Sequence, residues 1–186
     1  MTGRELGHAV LTIARSAIAE RLGLGRLKEA SHAALQQHSA TFVTLRNTGQ
    51  LRGCIGSLQA TRPLALDVRE NAIAAAFRDP RFAPLEVAEF AATSVEVSLL
   101  SAAERVEVAS EQELLARLRP GVDGLILEFG RHRATFLPQV WEALAEPREF
   151  LAALKEKAGL PEGFWHTNMS VSRYLVTKWV DLDFAW

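Results

Sequence analysis

The chain is poor in cysteine: its 186 residues include one, Cys54. A single cysteine excludes a disulfide within the chain and supplies too few thiolates for a cysteine-based zinc or iron–sulfur site. Structural disulfides belong to oxidising compartments, so their absence favours a reducing one. A chain of this length can bury enough apolar surface to fold without a covalent or metallic cross-link.

Long apolar runs and an excess of one charge are also missing. No stretch approaches the roughly 20 apolar residues of a membrane-spanning helix, and charged residues interrupt residues 1–24, where a signal peptide is uniformly apolar. Lys and Arg number 21 against 22 Asp and Glu, a net charge of −1, which argues against coating nucleic acid or an anionic membrane. These absences predict a soluble, cytoplasmic protein without membrane contact.

Sequence motifs for common cofactors are absent too. There is no P-loop, no dinucleotide-binding fingerprint and no serine nucleophile elbow. The histidines show no metal-ligand spacing; they are His8, His32, His38, His132 and His166. The sequence therefore predicts no metal and no cofactor.

The apolar content, 48%, is ordinary for a globular protein and enough for a sizeable core. The periodicity predicts a helix capped by Thr2 and ending near Gly23 or Gly25, a helix over 61–77 capped by Thr61, a short helix opened by Ser110 and a helix over 147–157. Strands are predicted over 41–46, 51–58, 94–100, 124–129, 133–137 and 174–182. Because helices and hairpins mix without steady strand–helix alternation, we predict an α+β fold with a mixed or antiparallel sheet flanked by helices.

The segment Leu51–Gly56, which reads LRGCIG, has chemical character. Alternate residues of a strand share a face, so Arg52 and Cys54 are expected to point the same way. Glycines within a strand mark a bulge or the close approach of a backbone or ligand. A guanidinium beside a thiol favours the nucleophilic thiolate. The functional interpretation is a small pocket in which Arg52 activates Cys54.

A structural interpretation competes with it. A lone cysteine in an apolar stretch is usually a small buried hydrophobe, and the glycines can let a helix pack closely. A nucleophilic cysteine needs a base, and no histidine adjoins Cys54 in the sequence. His38 and His166 are the candidates for a distant base. The residues alone favour the structural interpretation.

Charged residues on the predicted helices give two further expectations. Arg69 falls within the apolar arc of its helix and therefore needs a charge partner, for which Glu70 and Asp79 are candidates. A buried ion pair is favoured there over a substrate clamp. Lys155, on the helix over 147–157, is expected on a solvated face.

The segment LRGCIG resembles the signature of the AMMECR1 domain family. Further blocks agree with that family in the same order along the chain: Phe42-Val43-Thr44-Leu45, Pro63-Leu64, Asp79-Pro80-Arg81-Phe82, Val95–Leu100, Asp123–Leu127, Leu137–Val140 and Lys157–Leu160. The resemblance covers nearly the whole length and departs only around Trp141–Glu146. It implies one AMMECR1 domain over residues 1–186, made of a larger and a smaller lobe without a linker.

The resemblance also implies partners. Relatives accompany a Memo-like protein and a radical S-adenosylmethionine enzyme, and this chain would be protein A of that three-part system. The signature places the suspected functional patch on Leu51, Arg52, Gly53, Cys54, Ile55 and Gly56. We add further candidate binding residues, which are Arg69, Glu70, Asp79 and Arg81.

Three functions follow as hypotheses, and the resemblance names no reaction. The favoured one is an accessory or binding protein of that system, because the sequence holds no complete catalytic constellation. The alternative is an enzyme or enzyme subunit that uses an activated Cys54, with Arg52, on a small-molecule or nucleotide-like substrate. Nucleic-acid binding is the third and is disfavoured by the near-neutral charge.

Overall fold

The structure, a computed structural model, describes residues 3–25 and 31–183. The helices of these residues are α1 Gly3–Arg21, α2 Leu64–Phe77, α3 Val87–Phe90, α4 Glu111–Arg117 and α5 Pro147–Lys157. The strands are β1 Ala40–Asn47, β2 Gln50–Gly56, β3 Thr93–Leu100, β4 Glu104–Arg105, β5 Gly124–Phe129, β6 His132–Phe136, β7 Ser170–Tyr174 and β8 Val176–Val180. The cap predicted at Thr2 lies outside the described residues.

The chain divides into two compact units. The first comprises residues 1–100 and 177–186 and contains a four-stranded sheet in the order β2-β1-β3-β8, with α1 and α2. The second comprises residues 101–176 and contains a four-stranded sheet in the order β4-β7-β5-β6, with α4 and α5. Strand β1 pairs antiparallel with β2 and β3, and β7 pairs antiparallel with β4 and β5. The predicted α+β class, with a larger and a smaller lobe, is confirmed.

The core of the first unit lies on one face of its sheet. Residues that alternate along β1 and β3 are fully buried there: Val43, Leu45, Val95 and Val97. They pack in one cluster with buried residues of α1 and α2, which are Val10, Leu11, Ile18, Leu64 and Val68. The opposite face carries Thr44 with its cross-strand neighbours Cys54 and Glu96. The strand alternation therefore directs the side chain of Cys54 away from the helices.

Strand β2 departs from regular pairing next to its glycine. The register shifts between Leu45 and Arg46, which leaves Arg52 as the extra residue of a β-bulge. Gly53 lies directly against α2, and a Cβ at this position would be 2.2 Å from the carbonyl oxygen of Ala75. The strand can approach the helix this closely only because residue 53 has no side chain.

The second unit has its own core on one face of its sheet. The largest fully buried side chains of this cluster come from α4, β5 and α5: Leu114, Leu125, Leu127, Phe150, Leu151 and Leu154. Trp141 stacks on Phe150 with ring centroids 3.8 Å apart. Its indole N–H donates to the carbonyl oxygen of Asp123 at 2.7 Å, so the buried ring has its polar atom paired.

Some predicted elements differ from those observed. Helix α2 begins at Leu64, and Pro63 occupies the cap position without a side-chain hydrogen bond, so Thr61 is not the cap. The strand predicted over 174–182 is two strands, with Leu175 between β7 and β8, which belong to different sheets. A continuous β-forming pattern does not reveal where a chain passes from one sheet to another.

The prediction for Lys155 is wrong, since its side chain is fully buried rather than solvated. Its ammonium donates to Glu111 Oε2 and to the carbonyl oxygen of Glu162, both at 2.7 Å. These acceptors satisfy a charge that would otherwise be costly to bury. The partner carboxylate lies 44 residues away in the sequence, outside the reach of helical periodicity.

We expect Gly53→Ala to destabilise the protein by about 2 kcal/mol, because the added methyl overpacks the strand against α2. For a chain of this size, that is a fall of about 4–8 °C in Tm, measured by thermal denaturation. Gly3→Ala is the control in the same unit, since a Cβ there meets nothing within 4 Å. Equal melting temperatures for the two variants would contradict the close-approach role of Gly53.

Candidate functional site

Cys54 lies on β2, the edge strand of the first sheet, and its side chain is half-buried. The hydroxyl of Thr44, directly opposite on β1, donates to the Cys54 Sγ at 3.3 Å. The sulfur therefore lies in a polar setting, unlike that of a cysteine sealed among aliphatic groups.

The backbone of Cys54 is held from outside the sheet by Asp79 and Arg81, which we call the edge clamp. The Cys54 N–H donates to Asp79 Oδ2 at 2.9 Å, and Arg81 Nη2 donates to the Cys54 carbonyl oxygen at 3.3 Å. The edge clamp thus pairs both peptide groups of one residue, as a neighbouring strand would. An edge strand whose peptide groups are already paired is a poorer template for another strand.

The two clamp residues form a tight ion pair. Arg81 Nε donates to Asp79 Oδ1 at 3.0 Å and Arg81 Nη2 to Asp79 Oδ2 at 2.7 Å. These bonds from Arg81, with help from the Cys54 N–H, hold the pKa of Asp79 far below its usual range, although burial opposes the shift. Donating these bonds to Asp79 raises the pKa of Arg81. The Asp79 carboxylate is buried while the Arg81 side chain is 53% exposed, so the clamp presents a positive charge outward.

Arg52 is paired with a carboxylate rather than with the thiol. Its Nε and Nη2 donate to the two carboxylate oxygens of Glu89 at 2.9 and 3.0 Å. This bidentate bond raises the pKa of Arg52 and lowers that of Glu89. Glu89 also accepts the Glu86 N–H at 3.0 Å and so caps α3.

The third guanidinium nitrogen of Arg52, Nη1, makes no such bond. It is buried and has no hydrogen-bond partner among the described residues. The two guanidiniums of the site lie near one aromatic ring, with the Cζ of Arg52 5.9 Å and that of Arg81 5.5 Å from the centroid of Phe82. The cation that reaches Cys54 itself is Arg81, which donates to the Cys54 carbonyl oxygen.

The remaining residues of the LRGCIG segment differ in their burial and contacts. Ile55 packs against the core of the first unit, on the side of α2. A Cβ at Gly56 would lie 2.3 Å from the ring of Phe42, so this glycine admits an aromatic side chain against the strand. Leu51 is 38% exposed and is the apolar residue that the segment offers to solvent.

The ion-pair partners predicted for Arg69, which are Glu70 and Asp79, are wrong. The partner of Arg69 is Glu20, with Nη2 to Oε2 at 2.7 Å, and the Arg69 side chain is 39% exposed rather than buried. Glu70 pairs with Arg78 at 3.5 Å. Asp79, the other partner considered for Arg69, belongs to the edge clamp. Helix periodicity correctly places Arg69 towards a neighbouring element, but that element is α1.

The two candidate bases lie elsewhere. His38 forms an isolated β-bridge with Pro63 ahead of β1. His166 is in the second unit, with its ring centroid 5.2 Å from that of Phe129. Within residues 3–25 and 31–183, neither histidine is a hydrogen-bond partner of Cys54, whose sulfur pairs with Thr44.

A second polar cluster, which the sequence did not indicate, fixes the start of β1 and the end of β2 onto α2. The fully buried carboxylate of Asp67 accepts the N–H and hydroxyl of Thr41 at 2.8 and 2.7 Å. It also accepts bonds from Ser57 and Arg62, both at 2.8 Å, and from Asn71 at 3.0 Å. With this many donors the carboxylate is fully satisfied, which marks a structural network.

The described residues contain neither a metal-binding cluster nor a membrane-spanning helix. No group of three or more His, Cys, Asp or Glu in this part of the chain could hold a metal ion. None of the helices there is long and apolar enough to cross a membrane.

Comparison with known proteins gives the class and then the family. The crystal structure of the uncharacterized protein PH0010 from Pyrococcus horikoshii has the same architecture, with a TM-score of 0.80 and 33% identity over 95% of this chain and 91% of that one. A protein of Methanothermobacter thermautotrophicus is 40% identical over 180 residues, or 92% of each chain. One of Thermofilum pendens is 36% identical over 196 residues, or 95% of this chain and 90% of the relative.

The family model AMMECR1 matches residues 11–179. The chain thus has the two-sheet α+β architecture of PH0010, and it belongs to the AMMECR1 family. The resemblance drawn from the LRGCIG segment and the blocks around it is confirmed.

We expect Asp79→Asn to lower the free energy of unfolding at pH 7 by about 2 kcal/mol, because the clamp loses hydrogen bonds to a charged group. The folded-state pKa of Asp79 is depressed. Its stabilisation is therefore present above the unfolded-state pKa of about 3.9 and is lost as the pH falls towards the folded-state value. The gap in Tm between wild type and variant should shrink below about pH 4.

Glu70→Gln is the control for this measurement. It removes a half-exposed ion pair, which contributes about 0–1 kcal/mol. Its melting temperature should stay close to that of the wild type at neutral pH. A gap for Asp79→Asn that stays constant from pH 7 to pH 2 would show that the carboxylate charge is not what stabilises the clamp.

Proposed function

We propose that this protein is a cytoplasmic accessory binding protein that works with a Memo-like protein and a radical S-adenosylmethionine enzyme. The surface of β2 and the edge clamp is the proposed docking surface. The observation that carries the proposal is that the charged groups around Cys54 are paired with one another. Arg52, Asp79 and Arg81 are committed to ion pairs within the described structure, and the sulfur has a hydroxyl, not a base, as its partner.

The composition of the surface supports a protein partner. Exposed apolar side chains lie on β2, just after it and on α3: Leu51 at 38%, Leu58 at 39% and Val87 at 51%. The half-exposed guanidinium of Arg81 accompanies them. Apolar residues next to an arginine are the usual anchors of protein interfaces, since both bury large areas on binding.

The edge clamp also limits how a partner can bind. A strand added to the edge of β2 needs the peptide groups of Cys54, which Asp79 and Arg81 already occupy. We therefore infer that the partner contacts side chains on the outside of the clamp and leaves the sheet four-stranded.

We expect Leu51→Asp to weaken association with the partner at least about tenfold, because it places a charge in the apolar part of the interface. The affinity is measured by titrating the purified Memo-like protein and the purified radical enzyme separately. Val122→Asp is the matched control, since Val122 is 45% exposed and lies in the second unit.

Absence of association between the wild-type chain and either partner at micromolar concentration, with and without S-adenosylmethionine, would overturn the proposal. Equal weakening by the two variants would remove β2 as the docking surface.

A second candidate function, an enzyme that uses a Cys54 thiolate, has its own supporting observation. The Thr44 hydroxyl donates to Sγ at 3.3 Å, and Arg81 donates to the carbonyl oxygen of the same residue at 3.3 Å. Reactive cysteines of enzymes lie next to cationic groups of this kind. The substrate would be a small or nucleotide-like molecule, as expected from the sequence.

Iodoacetamide labelling near pH 7 tests this candidate, and the single cysteine makes the readout by mass spectrometry unambiguous. If the thiolate is stabilised, Cys54 reacts faster than free cysteine, and Arg81→Gln slows the reaction towards the free rate. A wild-type rate no greater than that of free cysteine, or no dependence on Arg81, would remove the basis for thiolate catalysis.

A further inference from the structure

The second unit contains a cavity of about 280 Å³ between β4, β7 and the segment after α4. This volume is close to the lower end of ligand-binding pockets, roughly 300–1,000 Å³, and suits a small molecule. The lining residues that matter here are Ala102, Glu104, Arg119, Arg173, Tyr174 and Leu175. All belong to residues 101–176, away from the LRGCIG segment in the sequence.

Arg173 is the weakly paired cation of this cavity. Its nearest carboxylate is that of Glu104, opposite it on β4, with Nε to Oε2 at 4.0 Å. That separation is too long for a hydrogen bond, and the side chain of Glu104 is 75% exposed. The Arg173 side chain is only 34% exposed, yet within the described residues its guanidinium makes no hydrogen bond.

Arg119 is held in place beside it. The buried carboxylate of Asp123 accepts Arg119 Nε at 3.0 Å and the Arg119 backbone N–H at 2.9 Å. The bonds that Arg119 donates to Asp123 raise the pKa of Arg119, so its guanidinium stays charged. Because Asp123 neutralises Arg119 and Glu104 is too distant to hydrogen-bond Arg173, the guanidinium of Arg173 is the charged group of the wall that is left to bind an anion.

Apart from Ser101, the rest of the wall is apolar. The hydroxyl of Tyr174 donates to the Phe136 carbonyl oxygen at 3.1 Å and bonds Thr135 at 3.0 Å, so the residue offers its ring rather than its hydroxyl. Burial raises the pKa of Tyr174 to about 12, which keeps this hydroxyl protonated. Ala102 and Leu175 complete the apolar lining.

We propose that this cavity binds a small organic anion, whose carboxylate or phosphate pairs with Arg173 and whose apolar part lies against the Tyr174 ring and Leu175. A planar guanidinium with free donors matches an oxyanion in two parallel hydrogen bonds. Glu104 competes with the ligand for Arg173, and its exposed side chain can turn to solvent when the anion binds. The cavity belongs to the second unit, and the proposed docking surface on β2 belongs to the first.

The test is a calorimetric titration of the whole chain at low ionic strength with two probes, inorganic phosphate and benzoate. Benzoate supplies an anion with an apolar ring, and phosphate supplies the anion alone, so benzoate should bind more tightly. Arg173→Gln should weaken benzoate at least about tenfold, as expected for a hydrogen bond between charged groups. Arg105→Gln is the matched control, since Arg105 is an arginine of the same sheet paired with Glu107, and it should leave the affinity unchanged.

Glu104→Gln gives a second, independent readout on an exposed side chain. Removing the competing carboxylate should tighten benzoate binding severalfold, and nuclear magnetic resonance should show the amides of Ala102 and Leu175 shifting on titration. No binding of benzoate at millimolar concentration, or equal losses in Arg173→Gln and Arg105→Gln, would overturn the proposal. Weaker binding in Glu104→Gln, or binding of phosphate without benzoate, would contradict the organic-anion assignment.

Discussion

The carboxylate of Asp79 is the group on which the arrangement around Cys54 depends. It follows α2 directly, accepts the Cys54 N–H and holds the guanidinium of Arg81 against the Cys54 carbonyl oxygen. The end of a helix is thereby tied to the edge of a sheet. Gly53 makes this possible from the other side, since it lets β2 lie against α2 without a side chain between them. The LRGCIG segment and the segment Asp79–Phe82 are two parts of one structure.

This arrangement separates the roles of the residues in the LRGCIG segment. Gly53 and Ile55 serve the packing of the first unit, and Arg52 is bonded to Glu89. What is left for recognition is the polar side of Cys54, the exposed part of Arg81 and the apolar surface beside them. The proposed role in binding rests on these pairings, since the charged groups stabilise one another and the partner of the sulfur is a hydroxyl.

The sequence predicted those features that depend on local patterns. The alternation of β3 gave its buried face, glycine in a strand indicated a close approach, and the family resemblance gave the two-lobed fold. Ion-pair partners were predicted poorly because tertiary packing chooses them: Arg69 pairs with Glu20 and Arg52 with Glu89, 49 and 37 residues away. The bulge at Arg52 has no sequence signature beyond the glycine that follows it. On a regular strand without the bulge, Arg52 and Cys54 were expected side by side. In the structure, the cation that reaches Cys54 is Arg81 instead.

The most direct test of the edge clamp is native-state amide hydrogen exchange at Cys54. The outward N–H of an edge strand exchanges rapidly when only water bonds it, whereas a bond to a buried carboxylate protects it. The Cys54 amide should be protected in the wild-type chain and should exchange at least about tenfold faster in Arg81→Gln, in which the Asp79 carboxylate loses the cation that holds it. A wild-type Cys54 amide that exchanges at the rate of an unstructured peptide would show that Asp79 does not hold this peptide group.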